Sequence, residues 1–148
     1  MAEVTLKYWI ICTFFLGLKM WANSAIQAYA RFKYKSFVNP EDAIVFGRML
    51  KAQISAQQNE HPLVFRAALC WRNDLENIPL FMILSLGYVL IGGSPIWALT
   101  YFSVFVFARF LHTFCYMTMA QPWRTLAYEL GATSTLVMAL HTVYLALC

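Results

Sequence analysis

Four apolar stretches, each about as long as a bilayer is thick, constrain this chain more than any other feature. A helix needs roughly 20 mostly apolar residues to cross the hydrocarbon core. Residues of about 7–31, 69–91, 96–120 and 125–148 meet that length. Gly92-Gly93-Ser94-Pro95 closes the second stretch and Gln121-Pro122 stops the third, both being strong helix breakers. The segment of about 32–65 is the long polar connection. Composition agrees, because 61% of the 148 residues are hydrophobic and 12% charged, whereas a soluble domain is about half apolar and about a quarter charged. The surplus of apolar surface needs lipid as its solvent. The expectation is an all-α, polytopic integral membrane protein, a four-helix bundle forming one domain over 1–148. The N-terminus is read as a retained first helix and not a signal peptide, since Glu3 lowers the leading charge and no small-residue cleavage site precedes Lys19.

Charge placement sets an orientation. Lys33, Lys35, Arg48 and Lys51 lie in the long connection, flanked by Arg31 and Arg66, and Arg124 ends the connection after the third span. The 92–95 connection and the C-terminal end carry no charge. Lys and Arg accumulate on the cytosolic side of membrane proteins, so both basic connections are expected to face the cytosol and both termini the lumen. The net charge of +4 is spread without any long basic run. Anionic lipid headgroups, and not nucleic acid, are therefore the expected partner. Cys12, Cys70, Cys115 and Cys148 sit far apart in apolar sequence and read as packing residues, with no disulfide framework.

The polar residues inside the spans fall at one depth. They come late in the first span (Asn23, Gln27, Arg31) and early in the second (Arg72, Asn73, Asp74, Glu76). They come late again in the third (Arg109, His112, Tyr116) and early in the fourth (Arg124, Thr125, Tyr128, Glu129). Alternate spans run in opposite directions, so these positions form one layer in the cytosolic leaflet. Arg109, His112 and Tyr116 stand at i, i+3 and i+7, a single stripe, while Arg72 with Glu76 and Arg124 with Tyr128 are i, i+4 pairs. Guanidinium groups grip carboxylates in a bidentate fork, so the layer has the chemistry of an anion site.

The plainer alternative is that Arg31 and Arg124 snorkel to the headgroups and that Glu76 only partners Arg72. Arg109 and His112 lie deeper and share a stripe with Tyr116, which favours function. No second His or carboxylate stands at ligand spacing from His112, so no metal site is expected. His141, near the luminal end without polar neighbours, reads as structural. Asp74 reads as a local cap or pair, and Lys19, midway along the first span, has no partner visible in the sequence.

The same residues carry a family resemblance. Asn39-Pro40-Glu41-Asp42, Arg72-Asn73-Asp74-Leu75-Glu76-Asn77-Ile78, Ala108-Arg109 with His112-Thr113 and Tyr116, and Gln121-Pro122 with Arg124 occur in that order. Together they resemble the MAPEG family, the membrane-associated proteins of eicosanoid and glutathione metabolism. Within it they are similar to the branch of microsomal glutathione transferase 1 and microsomal prostaglandin E synthase 1. The resemblance covers about residue 19 to the C-terminus. It implies a homotrimer of four-helix subunits in the endoplasmic reticulum membrane, with glutathione bound between neighbours near the cytosolic side. It further implies that Arg72, Asn73, Glu76, His112, Tyr116, Arg124, Thr125 and Tyr128 line the glutathione site, and that Arg31 reaches it from the next subunit. The chain departs from the family pattern at Leu69-Cys70-Trp71, where members carry Arg-Ala-His.

Under that resemblance, Arg72, Arg109, Arg124 and the neighbour's Arg31 balance the two glutathione carboxylates, and Glu76 takes the ammonium. Arg124 is expected to stabilise the thiolate, with Thr125 as hydroxyl donor, while a lipophilic electrophile arrives through the bilayer. Three functions follow. The first is thiol transfer to such electrophiles, with lipid hydroperoxide reduction beside it. The second is isomerisation of an endoperoxide to a prostaglandin E-type product, in which Asp42 could assist. The third is a non-enzymatic member that binds lipid or glutathione and regulates a partner, a reading that Leu69 and Trp71 keep open.

Overall fold

The computed structural model describes residues 2–48 and 60–148; Lys51, one of the expected cytosolic cations, lies outside them. Five helices follow one another: α1 (Ala2–Tyr34), α2 (Pro40–Val45), α3 (Pro62–Leu90), α4 (Pro95–Met117) and α5 (Trp123–Leu147). There is no strand among the described residues. The protein is an all-α, multi-pass membrane protein.

The helix ends differ from the sequence expectation for identifiable reasons. Among the described residues helix α1 starts at Ala2 and not near residue 7, and Glu3 and Lys7 pair at 2.7 Å across its first turns. Helix α3 starts at Pro62, seven residues ahead of expectation. Proline suits a first turn, where its missing N–H has no partner to lose. Helix α4 stops at Met117 and not at residue 120. Met119 takes a left-handed backbone (φ 60). The amide of Ala120 bonds the carbonyl of Cys115 (2.9 Å) and that of Met119 bonds Tyr116 (3.4 Å). That double closure is a Schellman motif.

Helices α1, α4 and α5 are long and apolar enough to cross a membrane. Helix α3 is long enough but falls short in hydropathy. The polar residues expected early in this helix lie instead at its middle, since Arg72, Asn73, Asp74 and Glu76 follow ten residues of helix.

By packing, the chain divides into two units, Met1–Lys19 with Asn73–Cys148, and Met20–Arg72. The first is a four-helix bundle of the leading part of α1, the trailing part of α3, α4 and α5. Its core includes Leu16, Phe81, Tyr88, Phe102, Phe105 and Met138. Phe81 stacks flat on Phe105 with centroids 3.7 Å apart and meets Phe102 edge-on. Two polar ties hold α1 to the trailing end of α3. Thr5 Oγ1 donates to the Gly93 carbonyl (3.2 Å) and Trp9 Nε1 to Ser85 Oγ (3.0 Å).

Near the start of α4, Tyr88, Trp97, Tyr101 and His141 form an aromatic cluster. His141 does have a polar neighbour, contrary to the sequence reading, because its Nδ1 lies 3.1 Å from the Tyr101 hydroxyl. An apolar cavity of about 610 Å³ lies between α1 and α4, lined by residues including Tyr8, Cys12, Phe15, Phe102, Phe107 and Phe110. All four cysteines are free thiols, with Cys12, Cys70 and Cys115 buried.

The second unit holds the rest of α1, α2 and the start of α3. Phe32 meets Phe37 and Phe46 edge-on. Tyr34 stacks on His61 at 3.5 Å, and the His61 amide donates to Ser36 Oγ (2.9 Å).

Candidate functional site

The site grows from one buried cation. Arg109 is fully buried on α4. Its Nη1 donates to Asn73 Oδ1 on α3 (3.0 Å) and its Nη2 to the backbone carbonyl of Tyr128 on α5 (3.4 Å). The guanidinium also lies 5.6 Å from the centre of the Tyr128 ring. This close approach to α5 depends on Gly131, where a Cβ would stand 2.8 Å from Arg109 Nη2. Arg109 thus ties three helices with neutral acceptors only.

One turn on, the buried His112 ring lies 5.7 Å from Tyr116 and 6.3 Å from Tyr128. Arg124, at the start of α5 and half-buried, sits 4.7 Å over the Tyr116 ring. Gln121 lies between Arg124 and Thr125. With its amide oxygen toward the guanidinium it accepts from Arg124 Nε (3.1 Å) and Nη2 (2.6 Å), and its nitrogen meets Thr125 Oγ1 at 3.1 Å. This orientation satisfies both ends of the amide. Among the described residues no carboxylate pairs with Arg124. Thr125 and Tyr128 are exposed.

The same unit holds a buried ion pair. Lys19 Nζ donates to both oxygens of Asp74, at 2.5 and 2.6 Å, with the two side chains almost wholly buried. Asp74 is therefore not a local cap but the long-range partner of the lysine that looked solitary in the sequence.

The structure brings Asn73, Arg109, His112, Tyr116, Arg124, Thr125 and Tyr128 together in the first unit. Glu76 belongs to that unit too and is exposed. Arg31, Arg72 and Asp42 belong to the second unit. There Arg31 Nη2 lies 4.0 Å from Glu60, and the Asp42 carboxylate accepts from Asn39 Nδ2 (3.1 Å). Three contacts escaped the sequence reading: Gln121 was read as a helix stop and a family-motif residue, Lys19 as a residue with no partner visible in the sequence, and Gly131 was not singled out. Only Gln121 carried a local signal, standing four residues before Thr125.

Chemically, the cluster runs from a locked cation in the interior to an open one at the helix end. A guanidinium braced by a ring and an amide, beside an exposed hydroxyl, offers N–H and O–H donors to an anion.

Comparison with known proteins gives the same direction. The MAPEG family profile matches residues 9–144. The chain is similar to "Microsomal glutathione S-transferase 1" of Homo sapiens, 37% identical over 138 residues, covering 93% of this chain and 87% of that protein. It is similar to the protein of that name from Rattus norvegicus, 38% identical over 138 residues, with coverage of 93% and 87%. It is also similar to "Prostaglandin E synthase" of Equus caballus, 34% identical over 140 residues, covering 94% and 88%.

Proposed function

The chain belongs to the MAPEG family, and from that membership we propose that it is a membrane enzyme joining the thiolate of glutathione to lipophilic electrophiles, with lipid hydroperoxides as further substrates. The observation that carries this reading is Arg124, a half-buried cation braced by Tyr116 and Gln121 with no carboxylate partner among the described residues.

Glutathione brings two carboxylates, one ammonium and a thiol. The free thiol ionises near ~8.5, so only a few per cent is thiolate at neutral pH. Arg124 and the Thr125 hydroxyl favour the anion over the thiol, which raises the population that reacts. The thiolate sulfur then attacks the electrophilic carbon, the S–C bond forms, and the leaving group departs with its bonding pair. Arg72, Asn73, His112, Tyr116 and Tyr128 orient the tripeptide, Glu76 accepts its ammonium, and Arg109 holds Asn73 and α5 in register from behind. The apolar cavity between α1 and α4 supports a co-substrate that travels in lipid.

Exposed polar side chains on membrane helices need cover, and Arg72, Glu76, Thr125 and Tyr128 are all exposed on this chain. A neighbouring copy supplies that cover in this reading, as a homotrimer with Arg31 contributed across the interface. The basic connections face the cytosol, and the membrane is that of the endoplasmic reticulum. The second reading is endoperoxide isomerisation, favoured by relatives named prostaglandin E synthase at 34% and 32% identity, with Asp42 assisting.

Purified protein is expected to conjugate a chromogenic electrophile only when glutathione is present. Isomerisation of a prostaglandin endoperoxide without conjugation would replace the first reading by the second. Glutathione binding with neither reaction would leave a non-enzymatic member.

A further inference from the structure

Lys19 takes both oxygens of Asp74 at 2.5 and 2.6 Å in a buried setting. Asp74 directly follows Asn73, whose Oδ1 accepts from Arg109 Nη1 at 3.0 Å. A carboxylate one residue along the chain from the acceptor of a buried guanidinium is a competitor for it, since charge-assisted bonds outrank neutral ones. Here the carboxylate is already occupied. Arg109 is left to the neutral oxygens of Asn73 and Tyr128.

We propose that Lys19 is a positioning residue for the anion site: by sequestering Asp74 it keeps that carboxylate off Arg109 and leaves Asn73 and Arg109 in the register that receives glutathione. This rests on the glutathione reading above, and it gives a role to a lysine on a helix that holds no other member of the cluster. Without Lys19, Asp74 turns to Arg109, displaces Asn73, and cancels the charge that attracts the ligand. The structure predicts an unusual remedy, because neutralising Asp74 as well then restores the site.

The test is a set of equilibrium glutathione-binding measurements in detergent, made with turnover and thermal denaturation on the same preparations. Lys19→Met is expected to weaken binding roughly tenfold or more. Lys19→Arg, which keeps a donor to Asp74, should stay within about threefold of wild type. The double variant Lys19→Met with Asp74→Asn should recover affinity to within about threefold even where its melting temperature stays low, because the competing carboxylate is gone. If Lys19→Met does not fold, Asp74→Asn alone decides, since it removes the competitor and should bind glutathione no more weakly than wild type. A fall in melting temperature with unchanged affinity in Lys19→Met would reduce the pair to a structural tie. Failure of the double variant to regain affinity, or weakened binding in Asp74→Asn, would likewise overturn the proposal. Loss of turnover in the wild type with binding intact would remove the transferase reading alone, while the binding series still decides the role of Lys19. A wild type that binds no glutathione overturns both.

Discussion

The start and the end of α4 pack against the same two neighbours, α3 and α5, in opposite ways. At Tyr101 the partners are rings, Tyr88, Trp97 and His141, and a hydroxyl meets an imidazole nitrogen at 3.1 Å. Eight residues on, a rise of about 12 Å along the helix, Arg109 is fully buried between Asn73 and the Tyr128 carbonyl. The aromatic end is what helix packing needs for cohesion. The charged end is more than that: Lys19, Arg109 and Arg124 meet one buried carboxylate, Asp74, which Lys19 already holds. Buried ion pairs contribute little net stability, and unpaired buried charges are costly. Among the described residues that cluster holds more cations than buried carboxylates, which is the feature the proposed anion site rests on.

The largest effect expected from breaking this contrast is on turnover. Arg124→Ala should lower kcat for glutathione conjugation by roughly 10² or more, as loss of a transition-state charge partner does. Arg72→Ala should raise KM with a smaller change in kcat, and His141→Ala should leave both within about twofold. Steady-state kinetics in glutathione separates the three, and equal losses in all of them would erase the distinction between the two ends. Next in size is Gly131→Ala, whose added methyl meets Arg109 Nη2 at 2.8 Å. Overpacking of this kind costs about 1–3 kcal/mol, and here it should also weaken glutathione binding because Arg109 must move. Smallest is Tyr101→Phe, which removes the bond to His141 and should lower stability by about 1 kcal/mol with unchanged kinetics. A thermal melt compared with an activity assay tests both of these variants.

Much of this could be read from the residues in order. The all-α membrane class follows from apolar length, whereas the short helix α2 was not expected and α3 is less apolar than the other long helices. The Arg109, His112 and Tyr116 stripe follows from helical spacing, which is local geometry. What sequence spacing could not reach were contacts between residues far apart in the chain. Lys19 and Asp74 are 55 residues apart, and Tyr101 and His141 are 40 apart. The openings of α1 and α3 were placed late for another reason. Hydropathy marks where a helix becomes apolar, whereas hydrogen bonding decides where it begins. Gly131 was invisible because its contribution is the absence of a side chain opposite a guanidinium.

The bond between Lys19 and Asp74 also has a consequence in time. The chain is made from its N-terminus, so the lysine emerges 55 residues before its partner. At about 5–20 residues per second that is an interval of roughly 3–11 s. During it the first helix carries an ammonium near its middle without the Asp74 carboxylate, and a cation at a helix centre costs about 2.5–3.5 kcal/mol on insertion scales. The ion pair that offsets this cost can form only once Asp74 on α3 has been made.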